Sequence, residues 1–418
     1  MRFCLKGSAL FALAVLAAAG DAGAQAVTDP TKPAPPTPAP APAASNAAPS
    51  PFTFTAAYTA DLLDDASGGI SPGGSYVDLL KLSAAYDGAN AGHDGLTGLI
   101  SIEHQFGSQF TAQRVGAIQA ISASEAQPGT LRLYEAWGQQ EVLSGQGGVK
   151  VGLIDLNSTF DVQETAALFL NASNGIGPDI GDTGLNGPSD YPTPALAVTS
   201  FYRPAEGWTA QVGVFDGVAG DPAHRGDFIA LQVDGALIIG QIEKRFGDTA
   251  RIEVGAWTYT AEFPSLDNIG PNGVGRSVGG NDGVYGLLEG QLMPKPGGGD
   301  GGLAGWIRAG FANGNINPIA NYASTGLVYT GLIAGRDKDE IGVSIARAGL
   351  GSGARDQGHL EGRRIGAAET NLETTYRYVV SDWLNVQPDL QYVINPHGDV
   401  HIPDALVVGL RLSFTYTK

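Results

Sequence analysis

The feature that most constrains the fold is a repeated run of about ten residues in which apolar and polar side chains alternate. In the clearest run, ALVVGLRLSFTY (405–416), Leu406 and every second residue up to Tyr416 are apolar or aromatic, whereas Arg411 and Ser413 lie between them. Successive side chains of a strand point to opposite faces, so each such run has one apolar face and one polar face. Similar runs occupy residues 238–246, 301–311, 370–380 and 381–395.

Two environments favour strands of this kind. A soluble sandwich packs the apolar faces in its core, whereas a membrane barrel turns them toward lipid and lines a water-filled lumen with the polar faces. The runs are too numerous for one sandwich, and an open sheet of that size would leave exposed edges that closure removes. We therefore predict an all-β fold, a transmembrane antiparallel β-barrel of about 16 strands (range about 14–18), with a long inward-folding constriction loop.

Charged side chains indicate which face of the wall meets the lipid. An Arg or Lys at the middle of the lipid-facing surface costs about 2–4 kcal/mol, and several of the runs contain one. Together they would rival the stability of a whole domain, about 5–15 kcal/mol. The charged side chains must therefore face the lumen or lie near the membrane interfaces.

The amino terminus has the features of a secretory signal peptide. Arg2 and Lys6 are followed by an apolar stretch at 8–19 and by an A-x-A cleavage pattern at 22–24. That stretch is shorter than the roughly 20 residues that a membrane-spanning helix needs. A segment rich in Pro and Ala comes next and predicts an extended linker. The predicted domains are the signal peptide (1–24), a Pro/Ala-rich periplasmic linker (25–51) and an outer-membrane β-barrel domain (52–418).

Composition and short motifs exclude several classes of function. The formal net charge of −18 argues against a nucleic-acid partner, because phosphates bind basic surfaces. The single cysteine, Cys4, lies in the signal peptide, so the mature chain has no thiol for a disulfide or a metal. GISPG (69–73) fits the pattern of a hydrolase nucleophile, but it lies in a turn rather than between a strand and a helix, so no enzyme is predicted. No cofactor is predicted, since His397 and His401 lie on a loop, although Asp-rich turns such as 87–95 could bind Ca²⁺ weakly.

The stretch NASNGIGPDIGDTGLNGPSDYP (171–192) is unusual, because strand connections are ordinarily about 4–6 residues long. It belongs to a connection, 158–194, whose first part predicts a short helix with Asp161 as its cap and Glu164 three residues later. Connections of this length are usually functional. We expect this one to fold into the lumen and narrow the channel; the alternative is an extracellular loop that covers the mouth.

Several stretches resemble the carbohydrate-selective porins of Gram-negative outer membranes, the OprB-like family. These stretches are FLNASNG, LNGPSDYP, VFDGVAGDP (214–222), LETTYRYVVSDWLNVQPDLQYVINPHG (372–398) and DALVVGLRLSF (404–414). The resemblance implies an outer-membrane barrel of about 16 strands through which monosaccharides, above all glucose, diffuse into the periplasm. It also implies a constriction in which arginines, acidic groups and aromatic residues meet the sugar.

A sugar-selective channel would offer hydrogen-bonding groups to the hydroxyls and an aromatic surface to the ring. Trp306 is the candidate for stacking, and Arg203 is expected to meet the long connection that precedes its strand. The alternative role for each arginine is in a charge ladder that stiffens the barrel wall. The candidates on the strands are Arg203, Trp306, Arg308, Glu373, Arg377 and Arg411, and those on the connection are Asn171, Asn174, Asn186 and Asp190.

The expected partners are monosaccharides, outer-membrane lipid and lipopolysaccharide, together with a peptidoglycan contact through the linker. The runner-up function is a general or cation-preferring porin, which agrees with the acidic net charge. A structural barrel that links the outer membrane to peptidoglycan is the other alternative. Each of these functions places the protein in the cell outer membrane.

Overall fold

The computed structural model describes residues 50–220, 235–269, 274–298 and 301–418. The predicted signal peptide and nearly all of the predicted linker lie outside these residues. The described strands are β1 (Phe52–Ser67), β2 (Gly73–Asp87), β3 (Leu96–His104), β4 (Leu131–Val142), β5 (Gly147–Ile154), β6 (Ala195–Tyr202), β7 (Trp208–Asp216), β8 (Ala236–Phe246), β9 (Ala250–Tyr259), β10 (Phe263–Ile269), β11 (Gly275–Val278), β12 (Asp282–Pro294), β13 (Gly302–Ala312), β14 (Ile319–Thr330), β15 (Glu340–Leu350), β16 (Ala368–Ser381), β17 (Leu384–Ile394) and β18 (Ala405–Thr417).

Sixteen of these strands form one closed antiparallel barrel. They follow one another around the ring in chain order, except that β9 pairs directly with β12. β1 pairs with β18 and so closes the ring, with Asp61 opposite Arg411. The intervening β10 and β11 form a separate two-stranded sheet. The predicted all-β barrel of about 16 strands is therefore confirmed.

Apolar and polar side chains face opposite sides of the barrel wall. In β13, Ile307 is 60% exposed on the outer face, whereas its neighbours Trp306 and Arg308 are buried on the inner face. This orientation agrees with the prediction made from the charged residues. Exposed apolar side chains of other strands include Leu62, Ile100, Val254, Val284, Val343 and Leu390. Buried acidic side chains of the inner face include Asp61, Glu103, Glu253, Glu289, Glu373 and Asp389.

The two ends of the barrel differ in their connections. One end has short turns, such as 143–146 and 247–249, and there the backbones of Phe54 and Lys418 exchange hydrogen bonds of 2.9 Å. In bacterial outer-membrane barrels the short turns are periplasmic and the longer loops are extracellular. The predicted linker would therefore join β1 on the periplasmic side. The long connections of the other end include 105–130, 155–194 and 351–367.

Helices play a small part in the fold. The two described α-helices are α1 (Pro178–Gly181), within a long connection, and α2 (Ser352–Leu360), at the end with long connections. Among the described residues, no helix combines the length and the apolar character that crossing a membrane would require.

The barrel interior also contains apolar side chains, which simple alternation does not predict. Leu237 and Ile239 of β8 and Trp257 of β9 are buried on the inner face. They pack in one cluster with Phe160 and Ile180 of the connection between β5 and β6. An apolar residue on the inner face is stable where a folded segment of the same chain covers it, because both surfaces are then removed from water.

Substituting the lipid-facing Ile307 tests the orientation of the wall. Ile307→Arg should lower the folded fraction, because an arginine at mid-membrane depth costs about 2–4 kcal/mol. The folded fraction is measured by heat-modifiable migration on gels after refolding into lipid vesicles. Leu360→Arg is the control: Leu360 is 84% exposed at the end of α2, away from the barrel strands, and this variant should fold like the wild type. Equal folding of both variants would contradict the assigned lipid face.

Candidate functional site

The connection between β5 and β6 (155–194), here called the central segment, reaches strands on the far side of the ring. The backbone N–H groups of Leu170 and Asn171 donate to the carboxylate of Glu373 on β16, at 2.5 and 3.2 Å. The side-chain amide of Gln387 on β17 donates to the backbone carbonyl of Leu168 at 2.7 Å. Because these acceptors and donors are on the inner face of the opposite wall, the central segment lies inside the barrel.

A buried ion-pair network joins the central segment to β13. The guanidinium of Arg308 donates to both carboxylate oxygens of Asp161, at 3.1 and 2.8 Å, and also to Asp179. All three side chains are fully buried. Gly310 leaves the space that this network needs, since a Cβ atom there would lie 2.0 Å from a carboxylate oxygen of Asp179. A charge in such a site is tolerated only while its partners remain, so the three side chains hold the segment to the wall.

Arg251 on β9 forms a second anchor for the central segment. Its guanidinium donates to Glu289 at 2.6 Å and to Glu243 at 2.8 Å. The carboxylate of Glu289 in turn accepts the backbone N–H groups of Glu164 and Thr165, at 3.1 and 2.7 Å. Every group in this chain of contacts is thus paired with an opposite charge or a donor, which is what makes charges stable in a low-dielectric interior.

The helix predicted for the first part of this connection is wrong. The structure has two short 3₁₀ turns instead, Thr165–Leu168 and Ala172–Asn174. Asp161 does not cap a helix, because its carboxylate accepts from Arg308 and from the backbone N–H of Gly177 at 3.1 Å. Its φ of 53° also lies in the left-handed region. A distant buried guanidinium has outweighed the local preference for a helix cap.

A second connection also folds inward, although its sequence did not predict this. Residues 105–130, here called the second segment, place Ser122 within 2.6 Å of the Asp61 carboxylate. Asp61 is held by Arg411 through two bonds of 2.7 and 2.8 Å. The two segments also meet, since the N–H of Ala123 donates to the carbonyl of Leu170 at 2.8 Å. The length of this connection was the available signal in the sequence.

Five of the predicted site residues meet around the central segment, and all five are buried: Asn171, Asn174, Trp306, Arg308 and Glu373. The side-chain amide of Asn174 donates to Glu373 at 3.3 Å. The ring of Trp306 packs against Phe169, with centroids 5.3 Å apart. These residues therefore connect the segment to the wall in this structure, as does Arg411 for the second segment. Their contact with a sugar stays a prediction.

Arg203 lies away from the central segment, which the sequence predicted it to meet. It follows β6 at the end with short turns, whereas the central segment joins β6 at the opposite end. Its guanidinium donates to the backbone carbonyl of Gly145 at 2.9 Å and lies over the ring of Phe201. The expectation that Arg203 meets the central segment is wrong, because the length of β6 separates the two.

The three other predicted residues lie in separate places. Arg377 pairs with Glu340 on the neighbouring strand, toward the end with short turns. Asn186 donates its side-chain amide to the carbonyl of Ala219 at 2.5 Å. Asp190 lies near the end of the central segment and forms an isolated bridge with Thr193. The predicted residues thus divide between the interior anchors and the two ends of the barrel.

The wall formed by β2–β5 has charged side chains that are partly open to the lumen. Lys81 is 35% exposed and lies 3.5 Å from Glu103 and 3.8 Å from Glu135. Lys150 lies 4.5 Å from the centre of the Trp137 ring, whose indole N–H donates to Glu135 at 3.1 Å. We call these five side chains the open wall. Donors, acceptors and an aromatic ring are therefore adjacent on this part of the inner face.

A β-bulge in β4 helps to explain why the open wall was not predicted from the sequence. Ser101 lies opposite Glu135 but Ile102 lies opposite Leu133, so Tyr134 is an extra residue in the pair. A bulge interrupts alternation and re-aims the side chains around it. The hydroxyl of Tyr134 donates to Asp155 at 2.6 Å, where the central segment begins. The available signal was the cross-strand pair of opposite charges that Lys81 and Glu103 form in β2 and β3.

Several carboxyl groups of the central segment are hard to ionise. Burial, opposed in part by Arg308, raises the pKa of Asp179 to about 6. The side chain of Asp182 is exposed, but protein surrounds its carboxyl group, and this desolvation, followed by the negative charges of Glu369 and Asp179, raises its pKa to about 7. Burial and then repulsion by Asp155 raise the pKa of Asp190 well above its ordinary range. The negative charge of the segment therefore depends on pH near neutrality.

Metal binding has little geometric support in the described part of the chain. No group of three His, Cys, Asp or Glu residues there is arranged to hold a metal ion. In the Asp-rich turn at 87–95, Asp87 instead accepts from the backbone N–H of Ala89 at 3.1 Å. Weak Ca²⁺ binding in such turns stays a prediction.

Comparison with known proteins identifies the relatives of the chain. Residues 71–416 match the family described as "Carbohydrate-selective porin, OprB family". Porin B of Pseudomonas aeruginosa is 24% identical over 413 residues, which cover 87% of each chain. The high-pH structure of Pseudomonas putida OprB has a TM-score of 0.79 at 21% identity and covers 87% of this chain and 94% of that one. The low-pH structure of the same protein has a TM-score of 0.56 at 19% identity, with 87% and 92% covered. The structural likenesses concern the barrel fold.

Removing the buried guanidinium tests the anchor on β13. Arg308→Ala leaves Asp161 and Asp179 buried without their partner, which should destabilise the folded protein by about 3–5 kcal/mol and release the central segment. Single-channel recordings should then show a larger conductance. Arg347→Ala is the control, because Arg347 is exposed on the outer face of β15. A folded Arg308→Ala channel with wild-type conductance would contradict the anchoring role.

The raised pKa values predict a pH-dependent ion preference. Asp179 and Asp182, with pKa values of about 6 and about 7, are largely neutral at about pH 5 and charged at about pH 8.5, so cation preference should rise between these values. Reversal potentials in a salt gradient measure the preference, and Asp182→Asn should reduce its rise. Because both groups bind more protons when folded, their contribution to stability is greatest in acid and is lost as the pH rises through 6–7. An unchanged preference across this range would contradict the shifts.

Proposed function

This chain belongs to the carbohydrate-selective porin, OprB family, and we propose that monosaccharides of the glucose type cross its barrel along the open wall. As a family member with a closed 16-strand barrel, it is a carbohydrate-selective porin of the outer membrane. The observation that carries the finer proposal is the position of Lys81, Trp137 and their carboxylate neighbours. Lys81 and Trp137 lie on the inner face and are only partly buried, although the neighbouring carboxylates of Glu103 and Glu135 are buried. The anchor on β13 is fully buried by comparison.

The chemistry of the open wall suits a neutral polyhydroxylated molecule. The ammonium groups of Lys81 and Lys150 donate hydrogen bonds, and the carboxylates of Glu103 and Glu135 accept them. The ring of Trp137 offers an apolar surface to the C–H face of a pyranose. Each group already has a partner in the protein, so a sugar exchanges one set of hydrogen bonds for another. Such binding is weak enough to allow release on the far side, which a channel requires.

The central segment serves in this proposal as the constriction. It is held by buried partners on β9, β13 and β16, through Arg251, Arg308 and Glu373. A segment fixed at several points keeps one shape, so it can limit the size of solute that passes between it and the open wall. The predicted role of Arg308 and Glu373 in sugar contact becomes a positioning role, because both side chains are buried beneath the segment.

A cation-preferring porin is the second candidate function. The observation that favours it is the group of acidic side chains in the central segment, where Asp182 is open to the lumen. The formal net charge of −18 agrees with it. A cation preference without any block of the current by sugar would favour this function over the first.

The remaining partners belong to the same proposal. Exposed apolar side chains on the outer face would contact outer-membrane lipid, and the long connections at the opposite end from the short turns would contact lipopolysaccharide. Because β1 begins at the end with short turns, the predicted linker would extend toward the periplasm and touch peptidoglycan there. The family is one of channels, so the proposal contains no catalytic step.

Trp137→Leu tests the role of the open wall. It should slow the entry of glucose into liposomes by several-fold, because the contact of the indole with the sugar ring is worth about 1 kcal/mol. The conductance in KCl should stay close to that of the wild type. Liposome swelling in a series of neutral sugars measures the rate. Trp208→Leu is the control, because Trp208 is an exposed tryptophan of β7 near the turn before it. Equal swelling rates for both variants, or a wild-type protein that admits no sugar, would contradict the proposal.

A further inference from the structure

A cavity of about 230 Å³ lies on the periplasmic side of the central segment. Its lining includes the β8–β9 turn at 247–249, which belongs to the end with short turns. Glu164 and Thr165 of the central segment also line it, and Gln291 of β12 lies against the turn, where its N–H donates to the carbonyl of Thr249 at 2.7 Å. The cavity therefore lies where a solute that has passed the central segment would next arrive.

The lining of the cavity is polar and has no excess of positive charge. Arg251 and Glu289 are buried and paired with one another, so they form a fixed part of the lining. Arg245 donates to Glu164 at 2.6 Å and to Glu243 at 2.9 Å, and of these side chains Glu164 is the accessible one, at 50% exposed. Asp248 adds another carboxyl group. An anionic solute would meet more carboxylates than cations here and is disfavoured, whereas a neutral one meets no such repulsion.

Glu164 remains a hydrogen-bond acceptor at neutral pH. Its burial acts to raise the pKa, but the hydrogen bond from Arg245 and the charge of Arg251 outweigh that effect and lower the pKa. Because half of the Glu164 side chain is exposed, its carboxylate can accept a hydrogen bond from a solute. Arg245 can donate a hydrogen bond to the same solute. Two adjacent hydroxyls match this donor and acceptor pair.

None of the described residues that line the cavity is aromatic. The cavity therefore lacks the flat surface that a pyranose face requires and offers only groups that bind hydroxyl edges. In this it differs from the open wall, where Trp137 is present. A binding site that contacts only hydroxyl groups does not distinguish a cyclic polyol from an open-chain one.

We propose that this cavity is a second solute site, which binds neutral polyols, cyclic or open-chain, through their hydroxyls after they pass the central segment. The inference rests on the proposed transport of monosaccharides and adds a separate site to it. Arg245 and Glu164 are its binding residues. The site retains a sugar briefly at the periplasmic exit, and its lack of ring selectivity places the discrimination among solutes at the open wall.

The test uses single channels of the whole protein, oriented in planar bilayers, with glucose or sorbitol added on the side of the short turns. Both solutes should interrupt the current in the wild type. The Arg245→Gln/Glu164→Gln variant should need about tenfold more solute for the same frequency of interruptions, because it loses hydrogen bonds to charged groups. Glu164→Gln alone should show part of this loss, so the test does not depend on the folding of the double variant.

Arg203→Gln is the matched control, because Arg203 is a partly buried arginine at the same end of the barrel but outside the cavity. It should retain the wild-type frequency of interruptions by both solutes. Wild-type frequencies in both Glu164 variants, or interruptions by glucose but none by sorbitol, would overturn the second site and leave sugar transport intact. A wild-type channel that no sugar interrupts from either side would instead overturn the proposed function and, with it, this inference.

Discussion

The requirement that every backbone N–H and C=O group within a membrane find a partner inside the protein governs this structure. A closed ring of antiparallel strands meets it without exposed edges. Closure also fixes the alternation, since one face of every strand must then meet lipid and the other the enclosed volume. The buried arginines and carboxylates follow from that geometry, because at mid-membrane depth the inner face is where a spanning strand can carry them at low cost.

An enclosed volume lined by charges creates a second constraint, because those charges also need partners. Two connections of the chain supply many of them. The central segment gives Asp161 and Asp179 to Arg308 and backbone N–H groups to Glu289 and Glu373. The same contacts that neutralise the wall fix the shape of the segment. In the proposed function, selectivity and stability therefore depend on one set of side chains.

The sequence allowed the barrel, its approximate strand number and the inner position of residues such as Arg308 and Glu373 to be predicted, because alternation is a local property. The partners of these residues could not be predicted. Arg308 and Asp161 are 147 positions apart, and nothing local to either one indicates the other. The predicted helix cap at Asp161 was wrong for the same reason, because its partner Arg308 is distant in the sequence. The second segment and the open wall were missed because a connection of ordinary composition and a bulged strand both weaken the local pattern.

The seam between β1 and β18 has a consequence for assembly. The backbones of Phe54 and Lys418 bond to each other, and Asp61 meets Arg411 across the same seam. These partners are separated by almost the whole chain, so the ring cannot close until its final strand is available, and loop closure over such a separation is slow. Nascent barrels lacking β18 would present two unpaired edges, which makes them targets for chaperones and proteases rather than leaky pores.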